Sequence, residues 1–564
     1  MSSRQEICYY NIDHMTLILS VFILTPLIIE GLGVFSQRTY LSYYYFILPL
    51  CLFIFSLIKK KPIRFPTVAS IFFILFLIFS LISSLNFSVD KQISFEWWLF
   101  YLANFLVFIF FYNFKSEAER IIKSVIVMAT VIFVAGFLLK VLFPNFFLIK
   151  NLPAREFNLF FSFYTYAHNH LGDFLGLSLI LMFVGLVKNI RKVSLASFFA
   201  LVVLFLYSFS RSAYMALLLA ISIFVLQFRS RRVIILFSTV LFLVVAFFFL
   251  ISSPYGKLFN LPQKNLFDSR KNYWQQGIQA IKEKPIFGFG MGNFGYASQK
   301  YRSNYYVFSE TSHNFFLDTV VENGLLATIP LIIFFILVLL SVWRRQSIFS
   351  LLFFYLFIIF QTDYIYKMYS VMVLFMILAA VVYEEKNETE STTIFGIITL
   401  FLYVVLQMIM ISHIFIKNNR FELAIQSYPL NKLAYPSLIQ KKVQTGDSVG
   451  AIITANQYGT IAPDDENVVR TLAETYLALG NKKKALLYFE KMYTNNYLVG
   501  LSIIEKIYLL KKEIATDQQA EAFIKRVFLD FNKAPYWYKT QALKEQIKTF
   551  CKKYKKDFCG KISW

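Results

Sequence analysis

Acidic residues are scarce in this chain. Its 564 residues hold 33 Asp and Glu against 56 Lys and Arg, a formal net charge of +23. Charged residues of both signs make up only 16% of the sequence and hydrophobic ones 57%. Soluble domains carry about 25% charged residues, so a soluble globular protein is excluded. The positive excess does not point to nucleic acid. A nucleic-acid groove gathers its cations on one face, whereas here they sit in short clusters beside apolar runs: KKKPIR (59–64), KNIRK (188–192), RSRR (229–232) and WRR (343–345). Cysteine is also rare. Cys8 and Cys51 are isolated and read as small apolar side chains. Cys551 and Cys559 lie near the C-terminus. On one continuous helix they would be about 12 Å apart, too far to bond, so a bridge between them requires a bend. No zinc-ligand spacing is present. A cleavable signal peptide is not expected, because the first apolar run, Met15 to Phe35, is long enough to span a bilayer and lacks a small-residue cleavage site.

Long apolar runs are what the sequence has in abundance. At about 20 residues per crossing, they predict an all-α polytopic membrane protein of about thirteen spans. The expected limits are 15–35, 41–58, 67–85, 97–112, 121–143, 170–187, 193–209, 212–228, 233–252, 315–342, 347–362, 367–383 and 393–416. With the N-terminus inside, all four basic clusters fall in cytoplasmic loops, as the positive-inside rule requires. NFKSEAER (113–120) and EEKNETE (384–390) fall on the same side. The outer side receives 144–169, the turn at Ser210–Arg211, the loop 253–314 and QTDYIYK (361–367).

Residues 1–416 thus form a transmembrane domain, and 417–564 a second domain on the outer side. In that tail the pattern changes to amphipathic helices. LAETYLALGNKKKALLYFEKM (472–492) places Leu472, Ala473 and Tyr476 at helical spacing, a turn at Gly480, and Ala485, Leu486 and Phe489 facing back. This unit resembles one tetratricopeptide repeat. A repeat needs neighbours to bury its core, so a small soluble stack of helices is expected, with an unrelated helical bundle as the alternative.

Five histidines exist, and three of them, His168, His170 and His313, fall on the outer side. His313 ends the long polar loop and is followed by Asn314, Asp318 and Glu322. The two acids are one helical turn apart, and acids at a membrane boundary are functional candidates by default. Arg211 interrupts an apolar hairpin, where a cation either snorkels outward or binds an anion. Arg270 opens an expected amphipathic helix with Asp268 or Ser269 as N-cap, and Trp274 and Ile278 share one of its faces. Gly290, Gly292 and Gly295 match a GxGxxG spacing, but no strand precedes them, so they read as tight turns and close backbone approaches. The histidines of AHNH (167–170) are two residues apart and do not share a helix face, so no metal site is expected.

Four blocks in order, HNHLGDFLGLSL (168–179), SFSRSAYMALLLA (208–220), SRKNYWQQGIQAIKEKPIFGFGMGNFG (269–295) and SHNFFLDTVVENGLLA (312–327), resemble the O-antigen ligase and polymerase superfamily of bacterial membrane proteins. The resemblance covers roughly 150–345. It implies a GT-C type glycosyltransferase that takes a glycan from undecaprenyl diphosphate at the outer face of the inner membrane. The acceptor is lipid A–core in ligases, another repeat unit in polymerases, or a protein hydroxyl in related oligosaccharyltransferases, and neither a metal nor another cofactor is used. It assigns Arg211 and Arg270 to the donor diphosphate and His313 to the reacting hydroxyl, with Asn314, Asp318, Glu322, Asn169, His168 and His170 in support. In the first block many members have proline before the asparagine, where this chain has His168. The C-terminal helical domain, absent from the simplest ligases, points to a protein partner or acceptor. A flippase or transporter is the competing class, but it keeps ionisable groups at mid-membrane and often shows internal repeats. Here those groups collect at the outer edge and no repeated halves are visible.

Overall fold

The computed structural model describes residues 14–31, 47, 49–51, 53–58, 60, 62–142, 168–187, 195–208, 210–228, 238, 241, 266–302, 308–345, 347–494, 500–532 and 541–554. The clusters at 188–192 and 229–232, most of the expected span 233–252, segment 144–167, loop residues 253–265, Cys8 and Cys559 lie outside these residues.

Helix dominates. In chain order come α1 (His14–Gly31), α2 (Thr67–Ile82, prolonged by a π-helical turn Ser83–Phe87), α3 (Lys91–Asn113), α4 (Lys115–Leu142), α5 (His168–Val187), α6 (Leu195–Tyr207) and α7 (Arg211–Phe228). Then follow α8 (Leu266–Glu283), α9 (Phe294–Lys300), α10 (Phe315–Arg345), α11 (Ile348–Phe360), α12 (Tyr369–Val382) and α13 (Thr392–Lys417). Among the described residues, four segments are long and apolar enough to cross a membrane: Thr67–Phe87, α3, α10 and α13. Other expected spans coincide with apolar helices of 10–17 residues. The chain is therefore a multi-helix membrane protein, but thirteen full-length crossings are not reproduced.

Two helices show how composition sets position. All 14 residues of α12 are buried, as expected of a helix apolar on every face; it packs on α3 and α11 at the centre of the bundle. By contrast α13 buries Phe395, Thr399, Leu402, Leu406 and Ile409 and exposes Ile394, Ile397, Leu400, Phe401, Val404, Met408 and Ile411. That exposed stripe recurs every three to four residues along the helix and suits lipid rather than water.

The loops assigned inside by charge meet at one end of the bundle. Arg64–Pro66 (β1) pairs antiparallel with Glu388–Glu390 (β2), and Arg64 lies 3.5 Å from Glu388 and 3.2 Å from Glu390. Arg345 reaches Glu119 at 3.8 Å and Glu384 at 3.5 Å. Four separate connections thus converge, as loops on one side of a membrane must.

At the other end the loop 284–293 is spliced into a break in α10. Gly324 has φ +71°, which interrupts the helix. The loop satisfies the backbone groups freed there: Phe289 N donates to Val321 O (2.9 Å) and Gly290 N to Glu322 O (2.6 Å), while Leu325 N donates to Pro285 O (2.8 Å) and Leu326 N to Ile286 O (3.3 Å). A side chain at Gly324 would put its Cβ 2.0 Å from Ile286 O, so glycine is required on both counts. In the glycine run, Gly290 has φ +91° and its missing Cβ would fall 2.2 Å from Ser88 Oγ, which is the close approach expected from the sequence. A small separate core of Val89, Ala280, Phe289, Phe294, Ala297 and Val321 seals this layer.

The C-terminal helices are α14 (Phe421–Ser427), α15 (Ala434–Gln444), α16 (Ser448–Ile461), α17 (Glu466–Ala478), α18 (Lys482–Thr494), α19 (Leu501–Ile514), α20 (Asp517–Asn532) and α21 (Gln541–Tyr554). From α15 to α20 each packs on the next. Their core is distinct from that of the membrane bundle and includes Tyr458, Leu472, Tyr476, Phe489 and Ile507. The hairpin read from the sequence is present, with Gly480 at φ +77° between α17 and α18. Cys551 of α21 is disulfide-bonded to a partner outside the described residues, and Cys51 is a free, exposed thiol.

Lys432 fastens this stack to the loop end of the bundle. Its Nζ bonds Asp90, the buried N-cap residue of α3, and lies 3.0 Å from Asp465 Oδ2. Its backbone N–H donates to Gln92 Oε1 (2.9 Å), and Tyr296 Oη of α9 donates to Asp465 Oδ2 (2.9 Å). Burial pulls the ammonium pKa down, but the two carboxylates outweigh it and hold it above its usual range. Burial alone would raise Asp465; the Lys432 charge and the bonds from Lys432 and Tyr296 bring it below the usual carboxylate range. That contribution to docking is present above the ordinary carboxylate range and is lost as pH falls through the depressed value. Replacing Lys432 by Ala leaves Asp90 buried without its cation, a change that costs about 3–5 kcal/mol. Limited proteolysis of the variant should release residues 417–564 faster than from wild type; equal rates would show that docking does not depend on this triad.

Candidate functional site

The site forms where the loop 308–314, α8 and the connection 361–367 meet. The turn before α10 is held by its own polar side chains. His313 N donates to Thr311 Oγ1 (3.2 Å), Asn314 N to Ser312 Oγ (3.2 Å), and Leu317 N to Asn314 Oδ1 (2.9 Å), so Asn314 caps α10. His313 itself sits at φ +60°. A non-glycine residue in this region stores about 1–3 kcal/mol and persists only where its surroundings dictate it. They do so from three directions. Trp274 Nε1 donates to Ser312 O (3.0 Å), Ser312 N donates to Asp318 Oδ1 (2.7 Å), and Asn314 Nδ2 donates to Gln361 O (3.1 Å).

Asp363, a residue not singled out from the sequence, is the centre of this arrangement. Its side chain is fully buried. Arg270 Nη2 lies 3.9 Å from Asp363 Oδ2, and His313 Nδ1 lies 3.8 Å from Asp363 Oδ1. The guanidinium and imidazole are themselves only 20% and 17% exposed. Both separations are beyond hydrogen-bond length, and a shift of about an ångström would turn either into a bond. The imidazole is flanked by aromatic rings, Tyr273 stacked at 6.1 Å and Tyr364 edge-on at 5.0 Å. The signal for Asp363 was available: it is an acid between two apolar runs, the type of residue that marks function by default.

A second buried group locks the 361–367 connection to α10. Tyr366 Oη bonds Asp318, and Lys367 Nζ lies 2.7 Å from Glu322 Oε1 and 3.9 Å from Asp318 Oδ2, over the ring of Trp97 at 5.0 Å. Asp318 and Glu322 are supporting residues in the sequence reading. They support the His313 turn through Ser312 and Lys367, while Asp363 is the carboxylate beside the ring. Arg270 also differs from its expected position: α8 begins at Leu266, so the arginine lies in its second turn instead of opening the helix.

Arg211 begins α7 and is exposed, with no ion pair among the described residues. His168, Asn169 and His170 begin α5. The blocks that carry them touch: a Cβ on Gly172 would fall 2.6 Å from Ser210 Cβ, and Tyr355 Oη of α11, the helix leading to Asp363, donates to Gly172 O (3.3 Å). No described contact joins these residues to His313. Among the described residues no cluster of three or more His, Cys, Asp or Glu side chains is placed to hold a metal ion.

Cationic and imidazole groups thus gather around a buried acid at one end of the bundle of apolar helices. Residues 195–332, which include Arg211, Arg270 and His313, match the family described as O-antigen ligase. The chain is also similar to a ComP-specific O-oligosaccharyltransferase of Acinetobacter baylyi, with 28% identity over 157 residues, 25% of this chain and 28% of the relative. The similarity thus spans under a third of that protein's length. Asp363 lies beyond the matched family segment. Asp363→Asn keeps the side-chain shape and removes the charge shared by Arg270 and His313. Glycan transfer should fall about ten- to a hundredfold, the worth of one charge-assisted contact, with membrane insertion intact; wild-type transfer would exclude Asp363 from the site.

Proposed function

We propose that the protein transfers a glycan from undecaprenyl diphosphate to an acceptor hydroxyl, at the outer face of a bacterial inner membrane, as an O-antigen ligase-like glycosyltransferase. The observation that carries this reading is the convergence of Arg270 and His313 on buried Asp363. The acceptor oxygen attacks the anomeric carbon as the bond from that carbon to the phosphate oxygen breaks, and the electron pair leaves with the diphosphate. Arg270, with Arg211 from α7, neutralises the charge that grows there; a guanidinium matches phosphate oxygens two at a time. His313 takes the proton. Its Nδ1 faces Asp363, which leaves Nε2 for the hydroxyl, and the Asp363 charge stabilises the imidazolium that forms. The arginines do the work a metal does in other phosphate sites, so no metal and no nucleotide sugar is required.

Two observations bear on the acceptor. The similar Acinetobacter protein is named an O-oligosaccharyltransferase, and the C-terminal helical domain is docked beside α9 through Tyr296. The first favours an oligosaccharide passed to an oxygen, and the docked domain favours a macromolecular acceptor, a protein beside lipid A–core and glycan. The polysaccharide of a deletion strain separates the three: loss of long chains from lipid A marks a ligase, single repeat units left there a polymerase, and loss from proteins alone a protein transferase.

Two variants test the chemistry. His313→Ala should keep donor binding and lose about 10²–10⁴-fold in transfer rate, the usual worth of a general base. Arg270→Lys should lose most transfer despite keeping its charge. Full activity in either purified, folded variant would overturn its assigned role.

A further inference from the structure

One cleft lies outside the group around Asp363. It opens on the side of α8 turned away from Arg270 and is lined by Asn272, Gln275, Gln276, Ile278, Gln279 and Tyr301, with a volume of about 290 Å³. That is close to the lower limit of the about 300–1,000 Å³ of small-molecule sites. Its chemistry is unusual for this chain. In a protein of net charge +23, the lining carries no charged side chain: four carboxamides, one phenol and one aliphatic group.

A carboxamide offers donors and an acceptor together, which matches a hydroxyl, itself both donor and acceptor. Asn272, Gln275 and Gln279 make no side-chain hydrogen bond among the described residues, so this capacity is available to a ligand. Gln276 is the fixed floor: it is buried, and its Oε1 accepts from Ser298 Oγ at 2.6 Å. Tyr301 is held by a bond from its hydroxyl to Glu283, which leaves the ring as a wall, and an aromatic face suits the C–H face of a pyranose. An anionic ligand would find no cation here, and an apolar one would leave the amides of Asn272, Gln275 and Gln279 unpaired.

We infer that this cleft is a saccharide subsite that holds an uncharged stretch of the donor glycan, beyond the sugar attached to diphosphate. The inference rests on the proposed function. Helix continuity gives the connection: Asn272 to Gln279 follow Arg270 by about 3–14 Å along the axis of α8, so one rigid element carries a diphosphate ligand and a glycan surface. A glycan running from the reacting centre around α8 would meet amide groups at successive turns.

The test uses the purified full-length protein. Donor lipid is extracted from cells that make it, then used intact or trimmed by exoglycosidases to the first sugar. Wild type should prefer intact donor through a lower KM. The triple variant Asn272→Ala/Gln275→Ala/Gln279→Ala should raise KM for intact donor about tenfold, as expected for loss of a few neutral hydrogen bonds, and bring the two donors close to parity. A preference undiminished in a folded variant, or absent from wild type, would overturn the subsite. So would a rise in KM for the acceptor with donor KM kept, which would assign the cleft to the acceptor. If wild type transfers from neither donor, the proposed function fails with it, which sets that outcome apart from the others.

Discussion

A carboxylate with no exposure to solvent constrains everything around it. Asp363 emerges from α11 at the end of the bundle, and a charge so placed is costly unless other groups compensate. Arg270 comes to it from α8 and His313 from the turn before α10. Three elements far apart in sequence are thereby drawn to one point, and the rest of this layer keeps them there. Trp274 holds the turn to α8, Asn314 holds it to Gln361, and Lys367 holds the connection to Glu322. The price of burying one acid is a network in which each reactive group has a fixed neighbour.

Much of this was legible in the sequence because bilayers simplify the reading. Apolar runs located α2, α3, α10 and α13 closely, and the pairing of Arg64 with Glu388 and Glu390 agrees with the charge rule that put those loops on one side. The glycine run was readable as close approach because only glycine tolerates positive φ at no steric cost. What escaped was pairing across long separations. Nothing local to QTDYIYK says that its acid faces a histidine fifty positions earlier, and nothing local to Lys432 says that it bonds Asp90. Helix periodicity reports which face is buried; it does not report against what. Short apolar helices blurred the span count for a related reason, since hydropathy sums over windows and does not see where a helix stops.

Two features place the soluble helices in the functional picture. α13 carries the chain back to the end where the site lies, and Lys432 and Asp465 then bind the stack to the head of α3 and to α9. α9 and α8 pack on each other. Through these contacts the helical stack, α9 and α8 form one continuous run of packed elements.

The break at Gly324 divides α10 into unequal parts. The longer part, Leu325–Arg345, is about the length that crosses a bilayer. Both parts share backbone bonds with the 284–293 loop: Val321 O and Glu322 O accept from it, and Leu325 N and Leu326 N donate to it. In mechanical terms the loop is a splint across the break, tying the histidine turn to the membrane helix at the point where the helix backbone is interrupted.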